Sequence, residues 1–192
     1  MRLFSQFPLQ TARTLAFLLL ALTLARPVSS QTASPVDTIQ VIAQQQKLIS
    51  QTYKLERIGE EVMYRETLAL LAACGAWTTT VPPNEEIIHL IEAVNHPKQD
   101  LIYAKREVEK NRSVSEDELK RFSDMYTNVE ALLSVAIDVH DLLKNGEIDE
   151  ATALYRTKSL DLMQAINRDS YTLVSGLEGK IDKAALHARL AK

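Results

Sequence analysis

Apolar side chains recur at every seventh position along the first part of this 192-residue chain: Val41, Leu48, Leu55, Val62 and Ala69. On a helix that spacing draws one continuous row, and such a row is stable only when other helices cover it. A second stretch keeps the same phase in alternating steps of three and four, through Leu119, Phe122, Tyr126, Val129, Leu133, Ala136, His140 and Leu143. Interruptions are scarce. There are five glycines, and no proline follows Pro97, so a turn-dense, sheet-rich fold is excluded. The pattern predicts an all-α protein, an antiparallel up-down-up-down four-helix bundle with long first and fourth helices.

The boundaries follow from local signals. Ser34-Pro35 pairs a capping residue with proline at the first helical position, and the first helix is expected to run to about Ala76, where Thr78-Thr-Thr-Val-Pro-Pro83 ends it. Asn84 is the expected cap of the second helix, with Glu85 and Glu86 in its first turn. This helix carries Ile87, Ile91, Val94, Leu101 and Val108 on one stripe, and Pro97 is expected to kink it. Ser115 and Glu118 form a capping-box pair that opens the third helix, Asn145-Gly146 stops it, and Asp149 is placed to start the fourth, with Tyr155, Leu162, Ile166, Leu173, Val174, Leu177 and Ile181 on its apolar side. At about 1.5 Å per residue the outer helices reach roughly 60 Å and the middle two roughly 40 to 45 Å. Residues 35–52 and 175–192 are therefore expected to project as a two-helix stem lacking two partners.

Residues 1–30 read as a signal peptide, with Arg2 and Arg13 ahead of the apolar run Thr14–Leu24 and Val28-Ser29-Ser30 before Gln31. The run falls well short of the roughly 20 residues needed to span a bilayer, and Pro27 breaks it. Cleavage near Gln31 gives a periplasmic protein with one domain over 31–192; an uncleaved anchor is the other use of such a segment. Export removes Arg2, Arg13 and Arg26 and no acids, leaving 19 basic residues against 25 acidic ones. That balance disfavours nucleic acid as a partner. The single cysteine, Cys74, is expected to be buried, since a free thiol in an oxidising compartment is safest hidden.

Catalytic signatures are missing. No nucleophile elbow, paired-cysteine motif, haem-attachment motif or phosphate-cradling glycine loop occurs, so no enzyme and no cofactor are expected. Glu86-Ile-Ile-His89 has the Glu-x-x-His spacing of carboxylate-bridged metal bundles, but such centres need a second motif and two further glutamates. His96, His140 and His187 have Ala93, Ile137 and Ala184 three residues before them, so no metal is assigned. His140 lies on the seam, where a hydrogen-bonded core histidine is expected.

The segment Ala43-Gln-Gln-Gln-Lys-Leu-Ile-Ser-Gln-Thr-Tyr-Lys-Leu55 crowds amides and hydroxyls into a stretch that the apolar row should make greasy. Gln44 and Gln51 fall on the row three residues beyond Val41 and Leu48. Facing a partner helix, they would fix register or line a small-ligand site; facing outward, they would be solvated.

Gln46-Lys-Leu-Ile-Ser-Gln51, followed by Lys54 and Gly59, resembles the Gln-Arg-Met-Leu-Ser-Gln signature of the sensor module of type IV pilus methyl-accepting chemotaxis transducers, the PilJ-type domain, itself similar to the nitrate-sensor bundle. Gln46, Ser50 and Gln51 agree in type and Leu48 and Ile49 in character, while Lys47 and Thr52 stand where that family has arginines. The resemblance implies an extracytoplasmic ligand-sensing bundle acting as a homodimer, with Gln45, Gln46, Lys47, Ser50 and Gln51 as ligand-binding residues. Lysine is a point charge where arginine is a two-pronged donor, which argues against nitrate-like anions. The expected function is an exported sensor-like module that binds a small molecule or partner helices, without a signalling output domain of its own, and reports to an envelope or membrane signalling protein. The alternative is a structural or interaction protein of the cell envelope with no small ligand.

Overall fold

Proline at the first helical position opens two of the helices. The computed structural model describes residues 35–76, 82–111 and 114–190, so the export segment, Ser34 and the threonine run of the first connection lie outside the described residues. Helix α1 spans Pro35–Ala73 and α2 spans Pro83–Asn95. Helix α3 covers Lys98–Glu109, α4 covers Glu116–Asn145 and α5 covers Ile148–Leu154. A π-helical turn, Tyr155–Ser159, then leads into α6, Leu160–Leu190. The described residues are all helix and connection, with no strand. Four helical segments result, because α2 and α3 meet at His96-Pro97, and α5, the π turn and α6 follow without a break.

Backbone chemistry ends these segments in a repeated way. Gly75 is left-handed at φ 65°, the Ala76 N–H donates to the Leu71 carbonyl at 3.0 Å, and the Gly75 N–H donates to Ala72 at 3.1 Å. Gly146, at φ 80°, does the same for α4, with Glu147 bonded to Leu142 and Gly146 to Leu143. Both are glycine-closed helix ends in which otherwise unpaired carbonyls are satisfied. Glycine thus ends α1 ahead of the predicted threonine–proline stop, and it leaves Cys74 exposed at the helix end, not buried as expected. The predicted Asn84 cap is also replaced: Pro82 is the cap and Pro83 the first helical residue. The Ser115–Glu118 capping box is present, with the Ser115 N–H donating to Glu118 Oε2 at 2.8 Å and the Glu118 N–H to Ser115 Oγ at 3.4 Å.

Two compact units divide the chain: one is Gln44–Glu178, and the other combines residues up to 43 with those from 179 onward. In the larger unit the heptad row is the core. Leu48, Leu55, Val62 and Ala69 are fully buried, together with Leu90, Val94, Phe122, Met125, Val129, Leu132, Ile166 and Leu173. Helix α4 packs against α2, α3, α5 and the π turn. Helix α1 meets α3 through Lys47–Glu107 and Lys54–Asp100, and it meets the last segment through Glu56–Ser170 and Glu66–Ser159. In both series one residue number rises as the other falls. In the smaller unit the described parts of α1 and α6 leave Ile39, Val41 and Leu186 exposed.

Three apolar expectations shift. Val41 begins the predicted row but is 38% exposed, and Leu119 is exposed at the start of α4. The range 35–52 and 175–192, expected to lack partners, is covered in part, because Gln45, Leu48, Thr52 and Leu177 of the larger unit are buried. The reason is the reach of the second helical segment: Asn111 Nδ2 donates to the Gln44 carbonyl at 2.9 Å, so α1 is covered as far as Gln44. Leu55→Ala is expected to cost about 2 to 5 kcal/mol in urea unfolding, whereas Val41→Ala should change stability by less than about 0.5 kcal/mol. Equal losses at the two positions would contradict this placement of the core.

Candidate functional site

The amide-rich turns of α1 wrap around the buried row without converging on one point. Gln45 lies on the buried face, 6% exposed, and its Oε1 has no hydrogen-bond partner. Gln51 is half-buried, and its Oε1 is likewise buried and unpartnered. At about 100° per residue the two leave α1 on opposite flanks of the Leu48–Leu55 row. Lys47 points to α3 and is ion-paired with Glu107, which raises the lysine pKa and lowers that of the carboxylate, chiefly through their hydrogen bond. Ser50 is exposed and Gln46 half-buried, on the turn away from the core. The structure thus brings Gln45 to the interior, commits Lys47 to an acid, and leaves Gln46 and Ser50 outside. Lys54 is also committed, bonded to Asp100 at 2.7 Å with Tyr103 beneath it.

A second polar group lies deeper, between α1 and the π turn. Glu66 follows Val62 by four residues and precedes Ala69 by three, so its phase drives a carboxylate into the seam, where it is fully buried. Ser159 Oγ donates to Glu66 Oε1 at 2.9 Å, while Oε2 has no partner. Next to it, Thr67 donates its one proton to the Met63 carbonyl at 2.8 Å. The 2.9 Å contact between Thr67 Oγ1 and the Tyr155 hydroxyl therefore has Tyr155 as donor. Burial pushes the Glu66 carboxyl up to about 7, with the Ser159 hydroxyl acting the other way.

The π turn explains how two donors reach adjacent residues of α1. Ala151, Tyr155, Ser159 and Met163 are inward positions separated by three successive steps of four. In an α-helix each such step overshoots a full turn by about 40°. The wider turn, closed by the Leu160 N–H on the Tyr155 carbonyl, absorbs the drift and keeps all four on the seam. Glu66 and Ser159 were absent from the sequence-based site. The available signal was an acid on the apolar phase of α1; nothing local announces the π turn.

Glu86 and His89 do share a face. Glu86 is buried, and its Oε2 lies 3.7 Å from His89 Nδ1, beyond hydrogen-bond reach. Among the described residues no group of three or more metal-binding side chains forms. His140 is mostly buried, its Nδ1 2.9 Å from Asp141 Oδ1. No helix among the described residues is long and apolar enough to cross a membrane. No family model, curated protein or solved structure matches the chain.

The Glu66 environment gives a signed pH dependence. The folded state holds a proton up to about pH 7, while an unfolded chain releases it near the ordinary value of 4.5. Between these pH values the folded form binds more protons, so stability falls as pH rises from about 4.5 to 7 and levels off above. The fall is on the order of 3 kcal/mol. Urea unfolding of Glu66→Gln should lack this slope; an unchanged slope would show that another group produces it.

Proposed function

We propose that the chain is an exported, sensor-like binding module: an antiparallel up-down-up-down four-helix bundle with long first and fourth helices, periplasmic after cleavage near Gln31. In this reading it holds a small molecule or a partner's helix at the Gln45–Gln51 segment, acts as a homodimer, and works with an envelope or membrane signalling protein. The observation that carries the reading is Gln45, a residue 6% exposed whose carbonyl oxygen meets no donor. Burying such an atom costs about 1 to 3 kcal/mol when its bond is unmade. A bound group that supplies the donor recovers that cost, and a ligand preferring one packing of the helices shifts the population toward it. The reversed order of the α1–α3 side-chain pairs, and of those between α1 and the last helical segment, supports the antiparallel arrangement. The likeness of Gln46–Gln51 to the PilJ-type signature supports the extracytoplasmic sensor.

Because both nearby lysines are paired with acids, the ligand class favoured here carries hydrogen-bond donors, amide or ammonium, in preference to a small anion. A panel of amino acids, their amides and nitrate in a thermal-shift assay tests this. At one hundred times its Kd a true ligand stabilises the folded protein by about 2.7 kcal/mol. Gln45→Leu should raise the stability of the ligand-free protein, since an unpartnered amide is replaced by an apolar side chain of similar size, and it should abolish the ligand-induced shift. A shift that survives Gln45→Leu would remove this site.

The envelope interaction protein without a small ligand is the second reading, and exposed Ile39 and Val41 favour it. Light scattering separates the proposals for the assembly: a strict monomer at all concentrations would remove the homodimer.

A further inference from the structure

We infer that Glu66 is a proton-binding site in the core whose occupancy decides whether Tyr155–Ser159 keeps its π-helical turn. The geometry sets the carboxyl against that turn: Ser159 donates to Oε1 at 2.9 Å, Oε2 has no partner, and Tyr155, at the other end of the turn, donates to Thr67 beside it at 2.9 Å. A neutral carboxyl is adequately served by one donor in an apolar seam. A carboxylate there has one hydrogen bond where it can accept several, in surroundings that penalise charge.

Titratable groups elsewhere do not supply the missing interaction. On α1 itself Arg65 turns to Glu61 at 2.9 Å, and Glu56 is bonded by Ser170. From α2 the groups turned at least partly inward are Glu86 and His89, and from α4 Glu118, Tyr126 and His140. Glu107 of α3 is tied to Lys47 and Asp169 of α6 to Arg168. The proton affinity of Glu66 is raised chiefly by burial, with the Ser159 hydroxyl acting against it.

When the proton leaves, the carboxylate must gain donors, and the element free to provide them is the turn that already holds one. A π turn is a wide, irregular stretch of helix; its opening or tightening moves Ser159 and Tyr155 together, because both are anchored to α1 at consecutive residues. Deprotonation therefore changes the backbone of Tyr155–Leu160 and the phase with which the preceding helix meets the seam. This inference stands apart from the Gln45 site and does not depend on what binds there.

Nuclear magnetic resonance on the full chain between pH 5 and 9 tests it with two readouts. The side-chain carboxyl carbon of Glu66 is expected to titrate with a midpoint near 7, and the backbone amides of Tyr155–Leu160 are expected to shift with the same midpoint. Glu66→Gln should hold those amides at their low-pH positions, and Ser159→Ala should move the carboxyl midpoint further up by removing its one donor. A carboxyl midpoint in the ordinary glutamate range overturns the inference. So do turn amides that stay still while Glu66 titrates, or that still titrate with that midpoint in Glu66→Gln. The wild-type measurement decides the matter even where a variant fails to fold.

Discussion

The close approach of α1 to the last helical segment is the constraint from which the rest of the larger unit follows. Gly59 makes it possible. A side chain at this position would begin 3.0 Å from Met163 Sδ and 3.4 Å from Ile166 Cδ1, so its absence lets the two helices meet through those residues. With the helices this near, polar side chains on either side of the contact are carried into the seam. Ser170 reaches Glu56 on one side, and Ser159 reaches Glu66 on the other. These hydrogen bonds act like buttons along an apolar seam. They hold its register more than they add to its stability, since a net hydrogen bond contributes only about 1 kcal/mol.

Glu66 is the costly member of that series. The heptad phase gives it no route to water, and the chain accommodates it with a local departure from α-helical geometry on the opposing segment. The polar residues that the sequence displays most openly, from Gln45 to Gln51, fare differently. Their helix is turned so that Gln45 enters the core, Gln51 is half-buried on the other flank of the apolar row, a lysine is consumed by an acid on α3, and Ser50 faces outward. Polar density in a sequence thus does not translate into a polar cavity. Direction around the helix, set by the apolar row, sorts neighbouring residues onto different faces.

Much of the fold could be read from the chain itself because the forces responsible are periodic and local. The row Leu48, Leu55, Val62, Ala69 is buried as its spacing requires; Ser115 and Glu118 make their reciprocal cap; Gly146 closes α4; and the helix breaks at Pro97. The misses have local causes of another kind. Gly75 ends α1 because a left-handed residue closes the carbonyls ahead of the proline pair, and Val41 keeps the phase of the row but is exposed. For the candidate site, the apolar row singles out Gln44 and Gln51, both half-buried, whereas the deeply buried amide is Gln45, on the flank of the row opposite Gln51. The fate of Lys47 depends on Glu107, sixty residues away, and no local pattern states that pairing.

Taken alone, the amino-acid order determined that this chain is helical, where its helices are interrupted, and which stripe of each is hidden, because heptad spacing, glycine, proline and capping act within a few residues. Tertiary structure decided how far α1 is covered, which amide lost its solvent, and that a carboxylate would meet a serine across the core. Those outcomes depend on helix length, facing and close approach. They are properties of pairs of helices, to which either sequence segment contributes only half.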